Sequence, residues 1–259
     1  MAIDKGEIMA IRIKKHTKTR VLFLSNSQGT SAGLADDTFW KSYPHRVQDH
    51  FPEIECVIWA ESDNSVANID NHFNELVLQQ YPDIIFLQCG IIEGSLRILP
   101  RGLKNILALL PGGKYITGSI RNRRRQWMKL LNIFRLKFYE LDLHQFESHL
   151  SSIIKKVKEN NIEFGILEIA PLSQDFINNM IPGNNQSLAR YNSILVKVAK
   201  RHDVKLINSI ENNHNASLND LYIKNTVHFS VEGHELIAKN IINFINSSTK
   251  FLINHKTKG

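Results

Sequence analysis

Val21-Leu22-Phe23-Leu24-Ser25-Asn26-Ser27-Gln28-Gly29 is a run of four apolar residues that stops at small polar ones. A short apolar run bounded by turn residues fits a strand covered on both faces. Four further runs share this character: Glu55–Trp59, Ile84–Cys89, Phe164–Ala170 and Val204–Asn208. Between them the apolar residues recur every three or four positions, which predicts amphipathic helices over Trp40–Phe51, Asn68–Gln80, Leu141–Asn160 and Ser187–Arg201. A last helix is expected over Ser230–Asn246. Strand–helix alternation with right-handed crossovers predicts a three-layer α/β/α sandwich around a parallel sheet of about five strands. In such sheets ligands bind beyond the carboxyl ends of the strands. Ser27, Gly90 and Glu168 all fall at that edge. Residues 20–246 are expected to form a single domain, with Met1–Thr19 and Ser247–Gly259 loosely held.

Composition narrows the possible functions. The chain has 259 residues, 42% of them hydrophobic, enough for a substantial core. No apolar run approaches the ~20 residues that span a bilayer. The first twenty residues are polar and basic without a signal-peptide core, which predicts a cytoplasmic protein. Cys56 and Cys89 sit inside apolar runs and are expected to be buried free thiols. The histidines form no ligand-spaced cluster, so no metal is expected. The net charge is +7, and a basic balance favours anionic partners. The stretch Arg121–Lys137 interleaves basic residues with Trp127, Met128, Leu130, Leu131, Ile133, Phe134 and Phe138. Such a helix suits contact with an acidic substrate or a membrane surface. The ordinary alternative is a helix with its apolar side in the core and its basic side solvated. No nucleic-acid-binding motif is present.

A second segment gives the first its chemical meaning. Asn225-Thr226-Val227-His228-Phe229-Ser230 is a polar loop that carries a histidine just before the last helix. A serine hydroxyl becomes a good nucleophile only when a base takes its proton, and histidine titrates near neutrality. The oxyanion that forms needs preorganised donors, for which the backbone N–H groups of Ser27 and Gly90 are placed.

Three blocks of sequence resemble those of the SGNH (GDSL-like) hydrolase superfamily of esterases, lipases and acetylhydrolases. Ser25-Asn26-Ser27-Gln28-Gly29 stands where the family has an apolar strand and Gly-Asp-Ser. Gln88-Cys89-Gly90-Ile91-Ile92-Glu93 stands at the block read as strand-Gly-x-Asn-Asp, and Asn225-Thr226-Val227-His228 at Asp-x-x-His. The resemblance implies a flavodoxin-like fold, Ser27 as nucleophile, His228 as base and no cofactor. It departs from the family in five places. Ser25 and Asn26 replace the first-block glycine and aspartate. Ala60–Asn64 lacks the second-block glycine. Ile92 replaces the oxyanion asparagine, and Asn225 replaces the aspartate that orients the histidine. An amide can fix the imidazole tautomer but cannot stabilise its charge, an exchange that costs roughly four orders of magnitude in a triad of known mechanism. Glu168 and Asp220 are the substitute acids considered, and Asn26 and Asn64 the substitute amides. Arg97 is placed to grip an anionic group on the substrate, with Glu93 as its partner. Gly90–Arg97 also resembles a divergent branch associated with bacterial surface polysaccharides. The expected activity is therefore hydrolysis of an O-acylated carbohydrate, or transfer of its acyl group if water is excluded. The alternative is a non-catalytic protein of the same fold that binds a glycan or an anionic partner.

Overall fold

The structure, a computed structural model, describes residues 18–61, 64–99, 109–134, 136–181, 184–210, 217–224 and 226–248, with 103, 106 and 107 besides. Five strands form one parallel sheet: β1 Arg20–Ser25, β2 Glu55–Ala60, β3 Ile84–Gln88, β4 Glu163–Leu167 and β5 Lys205–Ile207. Their spatial order is β2-β1-β3-β4-β5, the flavodoxin-like order. The side chains of β1 and β3 are buried almost throughout, as both-face coverage requires.

Helices cover both faces. After β1 comes α1 (Tyr43–His50), which packs against the closing helix α10 (Val231–Asn246). On the other side α7 (Leu143–Glu159) lies between α2 (Val66–Asn71) and α9 (Asn184–Arg201). The short elements α3 (Phe73–Leu76), α4 (Ile91–Gly94) and α8 (Gln174–Met180) follow strands or helix breaks, and α5 (Gly113–Asn122) and α6 (Arg124–Ile133) lie between α4 and α7. The core between the layers is one continuous cluster of buried aliphatic and aromatic residues.

The helix starts follow their capping chemistry. Asp142 Oδ1 accepts from the Gln145 backbone N–H at 2.8 Å while Gln145 returns a bond to Asp142 N–H at 3.1 Å, a reciprocal cap for α7. Ser230 Oγ caps α10 by accepting from Gly233 N–H at 3.1 Å.

Several boundaries differ from expectation. The helix expected over Asn68–Gln80 breaks at His72 into α2, α3 and a 3-10 turn. The break leaves Asp70 at the α7 surface, bonded to Lys156 Nζ and Ser152 Oγ at 2.7 Å and to His149 Nδ1 at 2.8 Å. Burial alone would raise the Asp70 carboxyl, but these donors hold it below the usual carboxylate range. The first helix begins at Tyr43 rather than Trp40, because a 3-10 segment Asp36–Lys41 precedes it. The C-terminal tail expected from Ser247 begins later, since Ser248 is fully buried and donates to Glu163 Oε2 at 2.6 Å. At the other end Thr19 is buried and its carbonyl accepts from Glu55 N–H. The remainder of both terminal segments lies outside the described residues. Both cysteines are free; Cys89 is buried and Cys56 partly so. Burial pushes the Cys56 thiol up to about 12 and Cys89 well above its ordinary value, so both are inert thiols.

Candidate active site

Beyond Ser25 the chain leaves the sheet in a 3-10 turn, Ser27–Gly29. Asn26 starts it, its Oδ1 accepting from Gln28 N–H at 2.9 Å and its carbonyl from Gly29 N–H at 3.0 Å. Gly29 is needed for space rather than for backbone angle. A Cβ there would lie 1.9 Å from Ser25 Oγ, and its φ is not positive. Ser27 is the partly exposed residue at the head of this turn. Its N–H, first in the turn, has no acceptor within it.

His228 comes from a tight hairpin. Ile223 N–H donates to His228 O at 2.9 Å, Ser230 N–H to Leu221 O at 3.0 Å, and His228 N–H to Thr226 Oγ1 at 3.1 Å. The hairpin rests directly on α10. A Cβ at Gly233 would lie 2.3 Å from Leu221 O, so only glycine allows this approach. The half-buried His228 imidazole meets the Ser27 backbone. Burial draws its pKa below the ordinary histidine value and the hydrogen bond with the Ser27 backbone pushes back against that shift. Gly33, in the loop after Ser27, lies close to the His228 side chain: a Cβ there would be 3.9 Å from His228 Cβ and Cδ2. The structure thus brings the predicted serine and histidine together at the carboxyl edge.

A buried polar relay, to which the sequence reading gave no role, fixes this meeting. Tyr43 OH donates to Gln88 Oε1 at 3.0 Å, Gln88 Nε2 donates to Gln28 Oε1 at 3.3 Å, and Gln28 Nε2 donates to Val227 O at 2.7 Å. Four side-chain and backbone groups from α1, β3, the Ser27 turn and the His228 hairpin therefore form one chain. Gln88 carried the available signal: a polar residue ending a buried apolar strand must have partners. His234, on α10, supports the same corner. Its Nδ1 accepts from Tyr43 N–H at 3.2 Å, and burial holds its pKa down to about 3, so it stays neutral. It is structural.

The groups expected to support the reaction are arranged differently. Gly90, in the left-handed region with φ 97°, does not offer a free donor, because its N–H is bonded to Glu93 Oε2 at 2.8 Å. Glu93 Oε1 accepts from Val66 N–H at 2.5 Å, and the carboxyl is fully buried. Its pKa is raised by desolvation despite these donors. Glu93 is thus a bracket between α4 and α2, not the partner of Arg97. Arg97 instead lies 3.6 Å from Glu140 Oε2, and its Nη2 donates to Ile92 O at 3.4 Å. Its N–H donates to Phe138 O at 2.8 Å. Half-buried Arg124 lies close enough for the Arg97 charge, after burial, to lower its pKa. Ile92 is a buried apolar side chain at the third-block position. Asn64 is also committed, its Nδ2 donating to Ser25 O at 3.3 Å. Asn26 Nδ2 is different: it is buried and has no partner among the described residues. The donor left at the partly exposed head of the turn is therefore the Ser27 N–H.

His228 Nδ1 is buried with no partner among the described residues. Asp220 is exposed on the hairpin, and Glu168, partly buried with a raised pKa, makes no bond to it. Asn225, expected to orient the ring, lies outside the described residues.

Solved structures share this fold across most of the chain. A lipase/acylhydrolase from Enterococcus faecalis superposes with a TM-score of 0.61 at 12% identity, covering 88% of this chain and 95% of that one. A protein from Desulfitobacterium hafniense DCB-2 assigned to the G-D-S-L family of lipolytic proteins gives 0.57 at 14% identity, covering 87% and 99%. An acetyl xylan esterase from Geobacillus stearothermophilus gives 0.56 at 15% identity, covering 88% and 96%. No family model matches the sequence, and no curated protein matches it significantly. The chain has the SGNH/GDSL hydrolase fold.

Proposed function

We propose that this chain is a divergent SGNH-like serine hydrolase, formed by residues 20–246, that cleaves a carboxylic ester. The observation that carries the reading is the hydrogen bond from Gln28 Nε2 to Val227 O at 2.7 Å, which joins the Ser27 turn to the His228 hairpin at the carboxyl edge of the sheet. In this reading Ser27 Oγ attacks the acyl carbonyl while His228 takes its proton. The oxyanion is held by the Ser27 N–H, which has no acceptor within its own turn. The tetrahedral intermediate collapses with expulsion of the alcohol, which receives the proton from His228. Water, deprotonated by His228, then releases the acid. No step calls for a cofactor. The resemblance of Gly90–Arg97 to the polysaccharide-associated branch, and the acetyl xylan esterase among the structural neighbours, support an O-acylated sugar as the substrate class. Exclusion of water would make the same machinery an acyltransferase.

One observation favours a second reading, a non-catalytic protein of this fold that binds a glycan or an anionic partner. His228 Nδ1 has no orienting partner among the described residues, and the Gly90 N–H is taken by Glu93. Hydrolysis of p-nitrophenyl acetate and of an acetylated xylooligosaccharide separates the two. The hydrolase reading predicts turnover by the wild type that falls to background in Ser27→Ala. Equal rates for the two proteins would leave only the binding reading.

A further inference from the structure

The segment between α4 and α7 forms an excursion with a pinned base. The chain leaves at Arg97 and returns at Phe138, where the two strands of backbone form an antiparallel bridge closed by Arg97 N–H to Phe138 O at 2.8 Å. That base lies at the active edge. It follows β3 by one short helix, and Leu96 N–H donates to Asn184 Oδ1 at the start of α9 at 2.9 Å. Helix α6 also packs against α8, which follows β4 at the same edge.

Two properties set this excursion apart. The first is its charge. Between Glu93 and Glu140 the sequence holds eleven Lys and Arg and no Asp or Glu, against a net charge of +7 for the whole chain. The basic excess of the protein is therefore concentrated here. The second is exposed apolar surface. Helix α6 turns Met128 into the core, while Trp127, Leu130 and Phe134, spaced i, i+3, i+7 along one stripe, are exposed together with Ile133 at 74%. Leu109 and Tyr115 are 86% and 85% exposed. A helix that packed only on the core would leave no such stripe in water.

We propose that this excursion docks the protein on an anionic lipid bilayer, with the α6 stripe inserted at the headgroup level and the basic side chains on the lipid phosphates. Two copies of the chain would bring like charges face to face, which disfavours self-association through this surface. A polyanion without an apolar phase, such as a nucleic acid or acidic glycan, would use the charges and leave the stripe exposed. A bilayer surface satisfies both. The helices lie on the membrane rather than across it. At ten residues, α5 and α6 each reach about 15 Å, and among the described residues no helix is long and apolar enough to span. Docking at the base of the excursion would hold the Ser27 edge near the membrane surface.

The test is co-sedimentation of the full chain with vesicles of phosphatidylcholine containing roughly a third phosphatidylglycerol, against vesicles of phosphatidylcholine alone. Binding to the anionic vesicles at least about tenfold tighter, weakening with salt, is expected. Ile133→Ser/Phe134→Ser and, separately, Arg125→Glu/Lys129→Glu should each reduce it about tenfold or more. All four side chains are exposed, so these variants should fold. Ser27→Ala should bind like the wild type, which separates docking from hydrolysis. No binding, or equal binding to both vesicle types, overturns the proposal. Vesicle binding that survives Ile133→Ser/Phe134→Ser, with equally tight binding to heparin, overturns it in favour of a purely electrostatic polyanion partner.

Discussion

The two halves of the active edge are built on different principles. Around Ser27 and His228 the polar groups reach across the fold: the relay from Tyr43 through Gln88 and Gln28 to Val227 joins four elements, and His234 locks α10 to α1. Around Gly90 the polar groups close on themselves. Glu93 takes the Gly90 and Val66 N–H groups, Arg97 turns to Glu140 and the backbone, and Ile92 is apolar. The first half fixes the positions of Ser27 and His228, the proposed nucleophile and base. The second half stabilises the local fold where an ordinary member of this fold class would stabilise charge. The proposed nucleophile and base are thus held in place more completely than the charge their reaction would develop is stabilised.

The contrast can be tested from the wired half first. His234 is neutral in the fold, with a pKa of about 3 against 6.5 in an unfolded chain. The unfolded state therefore binds the proton more readily. The stability that neutral His234 supports is complete above pH 6.5 and is lost as pH falls towards 3, a difference of roughly 5 kcal/mol. Chemical denaturation across that range should show the decline, and His234→Asn should flatten it. A decline that is unchanged in His234→Asn would assign the acid sensitivity elsewhere. In the other half, Ile92→Asn places an amide where the fold class carries one. Ester hydrolysis should rise by about 10²-fold, the worth of one oxyanion donor. An unchanged rate would mean that the Ser27 N–H already suffices.

Gly233→Ala should cost about 2–3 kcal/mol, because its methyl group would overlap the Leu221 carbonyl and displace the His228 hairpin. Thermal melts would show it, and kcat should fall with stability. Gln28→Ala breaks the relay at its centre and leaves Val227 O and the Gln88 amide without that partner, a loss of about 1–3 kcal/mol. Its kcat should fall while KM changes little, whereas a merely structural role would lower stability alone. The smallest effect is on the pH profile. Burial lowers the His228 pKa, so the acid limb of kcat/KM should bend below the ordinary histidine value of 6.5.

Much of the architecture could be read from the chain because buried parallel strands are short apolar runs, and all five were legible in this way. The helices α5 and α8 were not, since α5 contains Gly118 and shows its apolar residues to solvent, and α8 is only two turns long. That the Ser27 turn and the His228 hairpin meet was legible, because both follow the carboxyl edge of the sheet in the predicted topology. The relay was hidden: Gln28 and Gln88 acquire meaning only when β1, β3 and the hairpin are brought side by side. The Gly90 donor was misjudged although a signal existed. Glutamate three residues after a helix start is the pattern that folds back onto the starting N–H, and Glu93 stands there.

The proposed activation of Ser27 by His228 is read directly by an alkyl fluorophosphonate. The phosphorus forms a bond to Ser27 Oγ, fluoride leaves, and the serine proton passes to His228. Peptide mapping after exposure should find the adduct on Ser27 of the wild type, none in Ser27→Ala, and labelling slowed at least about 10²-fold in His228→Ala. Absence of an adduct on Ser27, or labelling at the same rate in His228→Ala, would contradict the account.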